Sequence, residues 1–241
     1  MNKIYGSAKE ALADIPSGSS IMMQCFVGPL GVAQSLIEQL AATGLKDLTL
    51  VLPTNINHTG GYKIHPKFKP YIVPRLLIEA GVARKVIIGW GTGAQFPGEE
   101  KSPWIGREEN LEREYVPIGV MAHRIRAAGA GMGAYYSPVG PGTWYAKGKE
   151  TRVIDGKEYV LEYPLSAQYG FIRANKADRL GNLYYKLAER MYSPLIAKAC
   201  KTTIAEVDEI VEPGEISPEL VMTPGIYIDR IVKSDRKVVP E

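Results

Sequence analysis

Short apolar runs alternate with helical stripes along the first part of the chain. The runs have the length of buried strands, and they occur at residues 21–26, 48–52 and 85–89. Between the first two, Val32, Leu36 and Leu40 repeat at helical spacing and predict a helix over residues 32–42. A second helix is predicted over residues 75–80. Strands that alternate with single helices indicate an α/β domain with an open, mostly parallel, doubly wound sheet.

The second half of the chain predicts an antiparallel hairpin excursion from this sheet. Asp155 and Gly156 form a hairpin turn signal between strand-like runs at residues 151–154 and 158–161. Four more strands and one helix are predicted, the strands at residues 170–174, 183–185, 203–207 and 226–231 and the helix at 194–199. No repeat or linker marks a boundary, so we expect one domain over residues 1–241 with a frayed tail at 235–241.

A glycine-rich segment at residues 114–145 stands out from this pattern. It holds six of the 25 glycines of the chain. The pattern predicts an extended piece, a turn at Gly119, a helix over residues 120–128 that Gly129 stops in a left-handed conformation, and a strand at 134–136. So many glycines favour exposed backbone N–H groups that line a small-molecule site, although a glycine-rich surface loop is the alternative.

Composition excludes several classes of protein. With 29 Lys and Arg against 26 Asp and Glu, the net charge of +3 is too small to indicate a nucleic-acid or membrane-surface protein. No apolar run approaches the roughly 20 residues of a membrane span, and no secretory leader is recognisable, so we expect a cytoplasmic protein. Cys25 and Cys200 do not suggest a disulfide framework. The three histidines, His58, His65 and His123, have no metal-ligand spacing, so no metal site is predicted.

Four blocks of sequence resemble one known family. The first is Glu-x-x-Pro-x-Gly-x-x-Ala-x-Arg-Ile-Arg-Ala-x-Gly-Ala-Gly from Glu114, followed by Tyr-Ser-Pro-x-Gly-x-Gly-Thr from Tyr136. The others are Lys-Glu-Tyr-Val-Leu-Glu at 157–162, Lys-Ala-Asp-x-x-Gly-Asn-Leu at 176–183, and Thr-Pro-Gly-Ile-Tyr-Ile-Asp-Arg-Ile-Val at 223–232. In this order they resemble the α (A) subunit of family I CoA-transferases, which include the 3-oxoacid and 3-oxoadipate CoA-transferases.

The resemblance implies a CoA-transferase-like fold and half of an enzyme. The family keeps its catalytic glutamate in a Ser/Gly-Glu-Asn-Gly motif of the β (B) subunit, and this chain has no such motif. Glu108-Glu109-Asn110 comes closest but lacks the glycine, and its surroundings suggest a charged surface helix. We therefore expect no catalytic residue in this chain, a heterotetramer with the β subunit, and a coenzyme A thioester as substrate rather than a tightly bound cofactor.

Two arguments place the substrate site. In open α/β sheets, ligands lie beyond the carboxyl ends of the strands, which points to the loops at residues 24–31, 53–61 and 89–98. The first of these aligns with the Gly-Gly-Phe-Gly turn of the family, but only its phenylalanine is kept. The implied acyl-site residues of this loop are Gln24, Cys25, Phe26, Val27 and Gly28, and the alternative is that the loop has moved and these residues simply pack. Cys25 is interpreted as a small buried thiol rather than a nucleophile, because no general base is identifiable by spacing.

The resemblance adds further substrate-binding candidates outside that loop: Asn55, Ile118, Gly119 and Gly131. Asn55 keeps half of an Asn-Asn pair, with Thr54 in the other place. Ile118-Gly119-Val120 replaces the Gln-Gly-Thr of the family, and His123 replaces a glutamate. These departures put the usual substrates in doubt. For Arg124 and Arg126, a solvent-facing position and an anion-binding role both stay open.

The leading hypothesis is the α subunit of a heteromeric CoA-transferase that works between a small organic acid, 3-oxoacid-like or dicarboxylic, and an acyl-CoA. Two alternatives remain. The altered loops could serve a hydrolase, a decarboxylase or a ring-opening lyase that acts on a CoA thioester. The chain could also be a non-catalytic scaffold for its β partner.

Overall fold

The computed structural model describes residues 2–26, 31–54, 72–89 and 111–236. The strands in these ranges are β1 Ile4–Tyr5, β2 Ser20–Met23, β3 Leu48–Leu52, β4 Ala83–Ile88, β5 Glu112–Tyr115, β6 Tyr135–Ser137, β7 Thr151–Ile154, β8 Lys157–Glu162, β9 Ala167–Asp178, β10 Leu183–Tyr184, β11 Cys200–Val211 and β12 Arg230–Lys233. The helices are α1 Ala8–Ala11, α2 Gln34–Ala41, α3 Arg75–Glu79, α4 Ile118–Gly129 and α5 Ser193–Ala199.

The main sheet has the order β1-β12-β11-β9-β2-β3-β4-β5, and β10 pairs with β9 off this path. All neighbours along the path are parallel, whereas β10 is antiparallel to β9. A second sheet, of order β6-β8-β7, is antiparallel. This arrangement confirms the predicted α/β fold with a mostly parallel sheet and an antiparallel excursion.

The main sheet is buried on both faces, as a doubly wound sheet requires. Along β3, Leu48, Leu50 and Leu52 point into one core with the apolar side chains of α1, α2 and α3, whereas Val51 points into the other. That second core also receives Val120 and Met121 from α4 and side chains of α5. The continuous apolar runs therefore serve two cores at once.

The predicted hairpin is confirmed at the outer edge of the small sheet. Asp155 and Gly156 both have positive φ, at 50° and 77°, which matches the two-residue turn that favours the twist of a hairpin. Strand β7 is exposed along its whole length, whereas Val160 and Glu162 of β8 are buried. The small sheet thus packs on the domain through β8.

The predicted roles of two glycines in α4 are wrong. The helix begins at Ile118, so Gly119 lies inside its first turn instead of forming a turn before it. It also includes Gly129, and the left-handed residue is Gly131, with a φ of 68°. The N–H groups of Gly131 and Met132 donate to the carbonyls of Ala128 and Ala127, at 3.1 and 2.9 Å, which is a Schellman ending.

A glycine is needed at position 129 for a different reason, which is the packing of α4 against α5. A Cβ at this position would lie 2.8 Å from the Lys198 Cβ, so the absence of a side chain lets α4 approach α5 closely.

Several predicted boundaries also change. The run at residues 21–26 is a strand only to Met23, since Gln24 and the residues after it leave the sheet. The predicted strand at 226–231 is wrong in its first half, because Gly225–Tyr227 is a single 3-10 turn and β12 begins at Arg230. Strands β9 and β11 each extend to 12 residues. They pair with one another from Ala167 to Asp178, and this long-range ladder supports residues that have weak strand signals of their own.

Candidate active site

Gln24 is fully buried directly after β2, at the carboxyl edge of the main sheet. Its side-chain amide donates to the carbonyl of Ala188 at 3.2 Å and, more weakly, to that of Phe26 at 3.4 Å. Gly31 packs against it so closely that a Cβ there would lie 2.5 Å from the Gln24 Nε2. The glutamine is therefore held by the backbone of its own loop and of the distant Ala188, and it packs against Gly31.

Cys25 is also buried, with 2% of its surface exposed. Burial raises the pKa of its thiol to about 12, although a backbone hydrogen bond with Thr54 partly opposes this shift. The thiol is thus protonated near neutral pH and a poor nucleophile, as the sequence interpretation expects. Thr54 lies at the end of β3, and its buried Oγ1 has no hydrogen-bond partner in the part of the chain that the structure describes.

Phe26 connects the loop to the start of α4 through a residue that sequence reasoning missed. Its ring lies 5.7 Å from that of Tyr192, at an interplanar angle of 55°. The Tyr192 hydroxyl donates to the carbonyl of Ile118 at 3.4 Å, and burial raises the pKa of this phenol to about 12. Phe26 and the Ile118 carbonyl are therefore both in contact with Tyr192.

Gly131 does not join this group. It lies beyond the far end of α4, about 20 Å from Ile118 by the rise of an α-helix. It is exposed, and a Cβ added to it would meet no atom within 4 Å. Its membership of the site, like that of the other candidates, stays a prediction. Val27, Gly28 and Asn55 lie outside the described residues, as do His58, His65 and the segment at 108–110.

The cations of α4 have the following surroundings. Arg124 pairs with Glu114 at 3.3 Å and donates from Nε to the carbonyl of Tyr163 at 2.9 Å. Arg126 is exposed, and so is His123, whose ring contacts that of Tyr135. Arg124 is thus held by intramolecular contacts. Within the described ranges, no group of three or more His, Cys, Asp or Glu side chains could hold a metal ion.

Two buried carboxylates lie near the same edge of the sheet. Glu206 accepts hydrogen bonds from the N–H groups of Ser35 and Leu36 at 2.9 and 3.3 Å, and from Arg173 Nη1 at 2.8 Å. It caps α2, whose own N-cap residue offers no side-chain acceptor, so its role is structural. The second is Glu189, one residue after the Ala188 carbonyl that binds Gln24. Nothing in the sequence distinguished it from an ordinary surface glutamate.

No helix in the part of the chain that the structure describes is long and apolar enough to cross a membrane.

The fold and the buried loop at its carboxyl edge define an α/β protein of the kind that binds a small ligand where strands lead into helices. Residues 5–234 match the family model described as Coenzyme A transferase, so the chain belongs to that family. The chain is 43% identical to the A subunit of 3-oxoadipate CoA-transferase from Pseudomonas putida, over 96% of its own length and 94% of that protein. It is 38% identical to the alpha subunit of acetate CoA-transferase from Escherichia coli, over 94% of each chain.

Solved structures agree on the fold. An acyl-CoA transferase from E. coli O157:H7, in a thioester complex with CoA, superposes with a TM-score of 0.74 at 21% identity and covers 97% of this chain and 50% of that one. Glutaconate coenzyme A-transferase from Acidaminococcus fermentans gives 0.71 at 18% identity, over 96% and 75%. The sequence relatives are A or alpha subunits. This finding confirms the predicted CoA-transferase α subunit, and it implies that a second subunit exists.

Proposed function

We propose that this chain is the α subunit of a heterotetrameric CoA-transferase that exchanges CoA between a small organic acid, 3-oxoacid-like or dicarboxylic, and an acyl-CoA thioester. The observation that carries the proposal is the 43% identity to the A subunit of a 3-oxoadipate CoA-transferase, across nearly the full length of both chains. 3-Oxoadipate is a dicarboxylic 3-oxo acid, and this suggests the class of acid to test first.

In this proposal the partner supplies the nucleophile and the α subunit supplies the pocket. A glutamate from the β partner attacks the thioester carbonyl, the CoA thiolate leaves, and the acyl group is held as an acyl-glutamyl anhydride. The thiolate then attacks the glutamyl carbonyl, which releases the first acid and leaves a glutamyl-CoA thioester for the acceptor acid. Backbone N–H groups aimed at the developing oxyanion contribute about 3 kcal/mol each in such reactions. The segment at residues 24–28 is the proposed wall of the acyl end.

The buried loop supports a division of labour between two subunits. The one thiol beside the proposed acyl end within the described ranges, Cys25, is protonated near neutral pH. The carboxyl edge also exposes apolar side chains close to Gln24, since Leu187 and Met191 flank the Ala188 carbonyl and are 62% and 45% exposed. We propose that the β subunit covers this edge, through an interface of at least about 2,000 Å².

A second candidate function keeps the fold and changes the chemistry. The buried Gln24 stands where the resemblance places a glycine, and in this alternative its side chain reshapes the acyl end. This observation favours a hydrolase, a decarboxylase or a ring-opening lyase acting on a CoA thioester.

The experiment is to co-purify the chain with its β partner and to assay a panel of acyl-CoA thioesters with and without an acceptor acid. Transfer requires the acceptor and yields a new acyl-CoA without net release of free thiol or CO₂. Acceptor-independent release of free CoA, or of CO₂, would instead identify one of the alternative reactions. The chain alone is the control. A monodisperse monomer with full thioester activity would refute the half-enzyme proposal.

A further inference from the structure

The turn that follows β10 is held by a buried carboxylate. Leu187 begins this 3-10 turn, Leu187–Arg190, with a φ of 48°, in the left-handed region that a side chain with a Cβ adopts only at a cost. Glu189 closes the turn, because its Oε2 accepts the N–H of Lys186 at 2.6 Å. Only 3% of Glu189 is exposed. The hydrogen bond therefore stabilises a backbone conformation that the sequence at this point does not favour.

This turn is in direct contact with the loop after β2. The Ala188 carbonyl, within the turn, accepts the hydrogen bond from the Gln24 amide at 3.2 Å. Tyr192, just after the turn, packs its ring on Phe26 and donates to the carbonyl of Ile118. Both residues that anchor the loop thus lie within three positions of Glu189. A change in the turn must move the groups that hold Gln24 and Phe26.

The surroundings of Glu189 combine burial with charges of both signs. Arg173 approaches from β9 and Asp208 from β11, while Lys186 belongs to the turn and the buried phenol of Tyr185 directly precedes it. Arg173 is already engaged by Glu206 and Asp208, so it only partly offsets the burial of another carboxylate. Burial raises the pKa of Glu189 to about 7, with Arg173 and Lys186 opposing the shift and Asp208 adding to it.

We propose that Glu189 is a positioning residue for the acyl end of the site. Glu189 closes the Leu187–Arg190 turn. The closed turn positions the Ala188 carbonyl, which binds Gln24, and the Tyr192 ring, which packs on Phe26. This inference rests on the proposed function, in which residues 24–26 line the acyl end. Burial of the Glu189 carboxyl disfavours its charged form, so the turn is held most firmly when Glu189 is protonated.

The first test compares Glu189→Ala with Glu189→Gln in the assembled two-subunit enzyme. The alanine variant loses the acceptor, and we expect the KM for the acyl-CoA to rise about tenfold, the usual effect of one lost buried hydrogen bond. The glutamine variant keeps an acceptor oxygen and should restore KM to within about threefold of the wild type. A glutamine variant no better than alanine would overturn the proposal.

The pH profile separates positioning from general structural damage. In the wild type we expect KM to rise as the pH rises through about 7, because ionisation of the buried Glu189 favours opening of the turn. The Glu189→Gln profile should be flat over the same window. Stability should fall over this window for the same reason. The folded-state pKa of Glu189 lies above the ordinary 4.5, so its contribution to stability is fully present below pH 4.5 and lost as the pH rises to about 7.

Glu215 is a matched control. Its Oε2 accepts the N–H of Glu212, three residues earlier, at 2.6 Å, so this hydrogen bond has the same spacing and length as that of Glu189, but the turn is exposed. Glu215→Ala should leave KM, acyl preference and pH profile unchanged. If Glu189→Ala and Glu215→Ala change KM equally, then losing the glutamate hydrogen bond of an exposed turn has the same effect as losing that of the Leu187–Arg190 turn. The proposal would then fail.

Hydrogen exchange of the isolated chain tests the coupling without any assay of activity. The N–H of Phe26 is hydrogen-bonded to the side chain of Gln24. Exchange over residues 24–26 should be faster in Glu189→Ala than in wild type or Glu215→Ala. Faster exchange in a protein without thioester activity would refute the proposed function alone. Unchanged exchange would refute the positioning role.

Discussion

The loop after β2 and the glycine-rich end of α4 are both predicted to belong to the site, yet the first is buried and the second is exposed. Gln24 and Cys25 are buried at the carboxyl edge of the main sheet. Gly131 and Gly133 are exposed, and a Cβ on either would meet no neighbouring atom. The first region is packed by distant backbone, whereas the second ends a helix.

The comparison shows that a high density of glycine has more than one cause. Gly129 is required by the close approach of α4 to Lys198, and Gly131 by a left-handed backbone. Both needs arise from helix packing and helix termination. Three sets of substitutions, from the largest expected effect to the smallest, test this contrast.

Gln24→Gly should have the largest effect. It removes the donor to the Ala188 carbonyl and leaves a void beside Gly31, so the free energy of unfolding should fall by about 2–3 kcal/mol. In the assembled enzyme the preference among acyl-CoA thioesters should shift by about tenfold or more, because the pocket gains room. Gln168→Gly, which loses one exposed hydrogen bond to the Ser20 N–H, is the control. Unchanged kinetics across the panel would remove Gln24 from the site.

Gly129 and Gly131 should differ in which substitutions they tolerate. At Gly129 the limit is space, so alanine should cost about 1–3 kcal/mol and asparagine at least as much. At Gly131 the limit is φ, so alanine should cost about 1 kcal/mol and asparagine, which tolerates the left-handed region, less. Urea unfolding of the four variants measures these costs. The same order at both positions would contradict the two explanations.

The activity of the assembled enzyme with Gly131→Ala tests whether Gly131 belongs to the substrate site. Lost turnover with unchanged binding of the β subunit would assign it to the site, as the family motif predicts. Unchanged turnover would restrict it to ending α4.

Cys25→Ser should have the smallest effect. Because burial raises the thiol pKa to about 12, the native enzyme holds no reactive thiolate here near neutral pH, and turnover should stay within about tenfold of the wild type. Cys200, whose thiol pKa burial also raises to about 12, gives a matched Cys200→Ser control. A loss beyond about 10³-fold at Cys25 alone would identify a nucleophile and favour the alternative chemistries.

The sequence by itself determined the class of fold and the family. Strand β3 coincides with its apolar run at Leu48–Leu52, and Asp155-Gly156 marks the hairpin turn between β7 and β8. These features are local: a run of apolar side chains or a pair of turn residues imposes its geometry within a few positions. The family motifs are equally local, and they were sufficient to indicate a CoA-transferase α subunit.

Only the tertiary structure decided which of the candidate residues meet. Gln24 and Ala188 are 164 positions apart, and Phe26 reaches Ile118 only through Tyr192, for which the sequence carried no signal. The lengths of β9 and β11 depend on one another in the same way. The helix stop predicted at Gly129 likewise lies at Gly131 instead, and Gly129 faces α5. A contact between distant segments is set by how whole elements pack, and no local pattern contains that information.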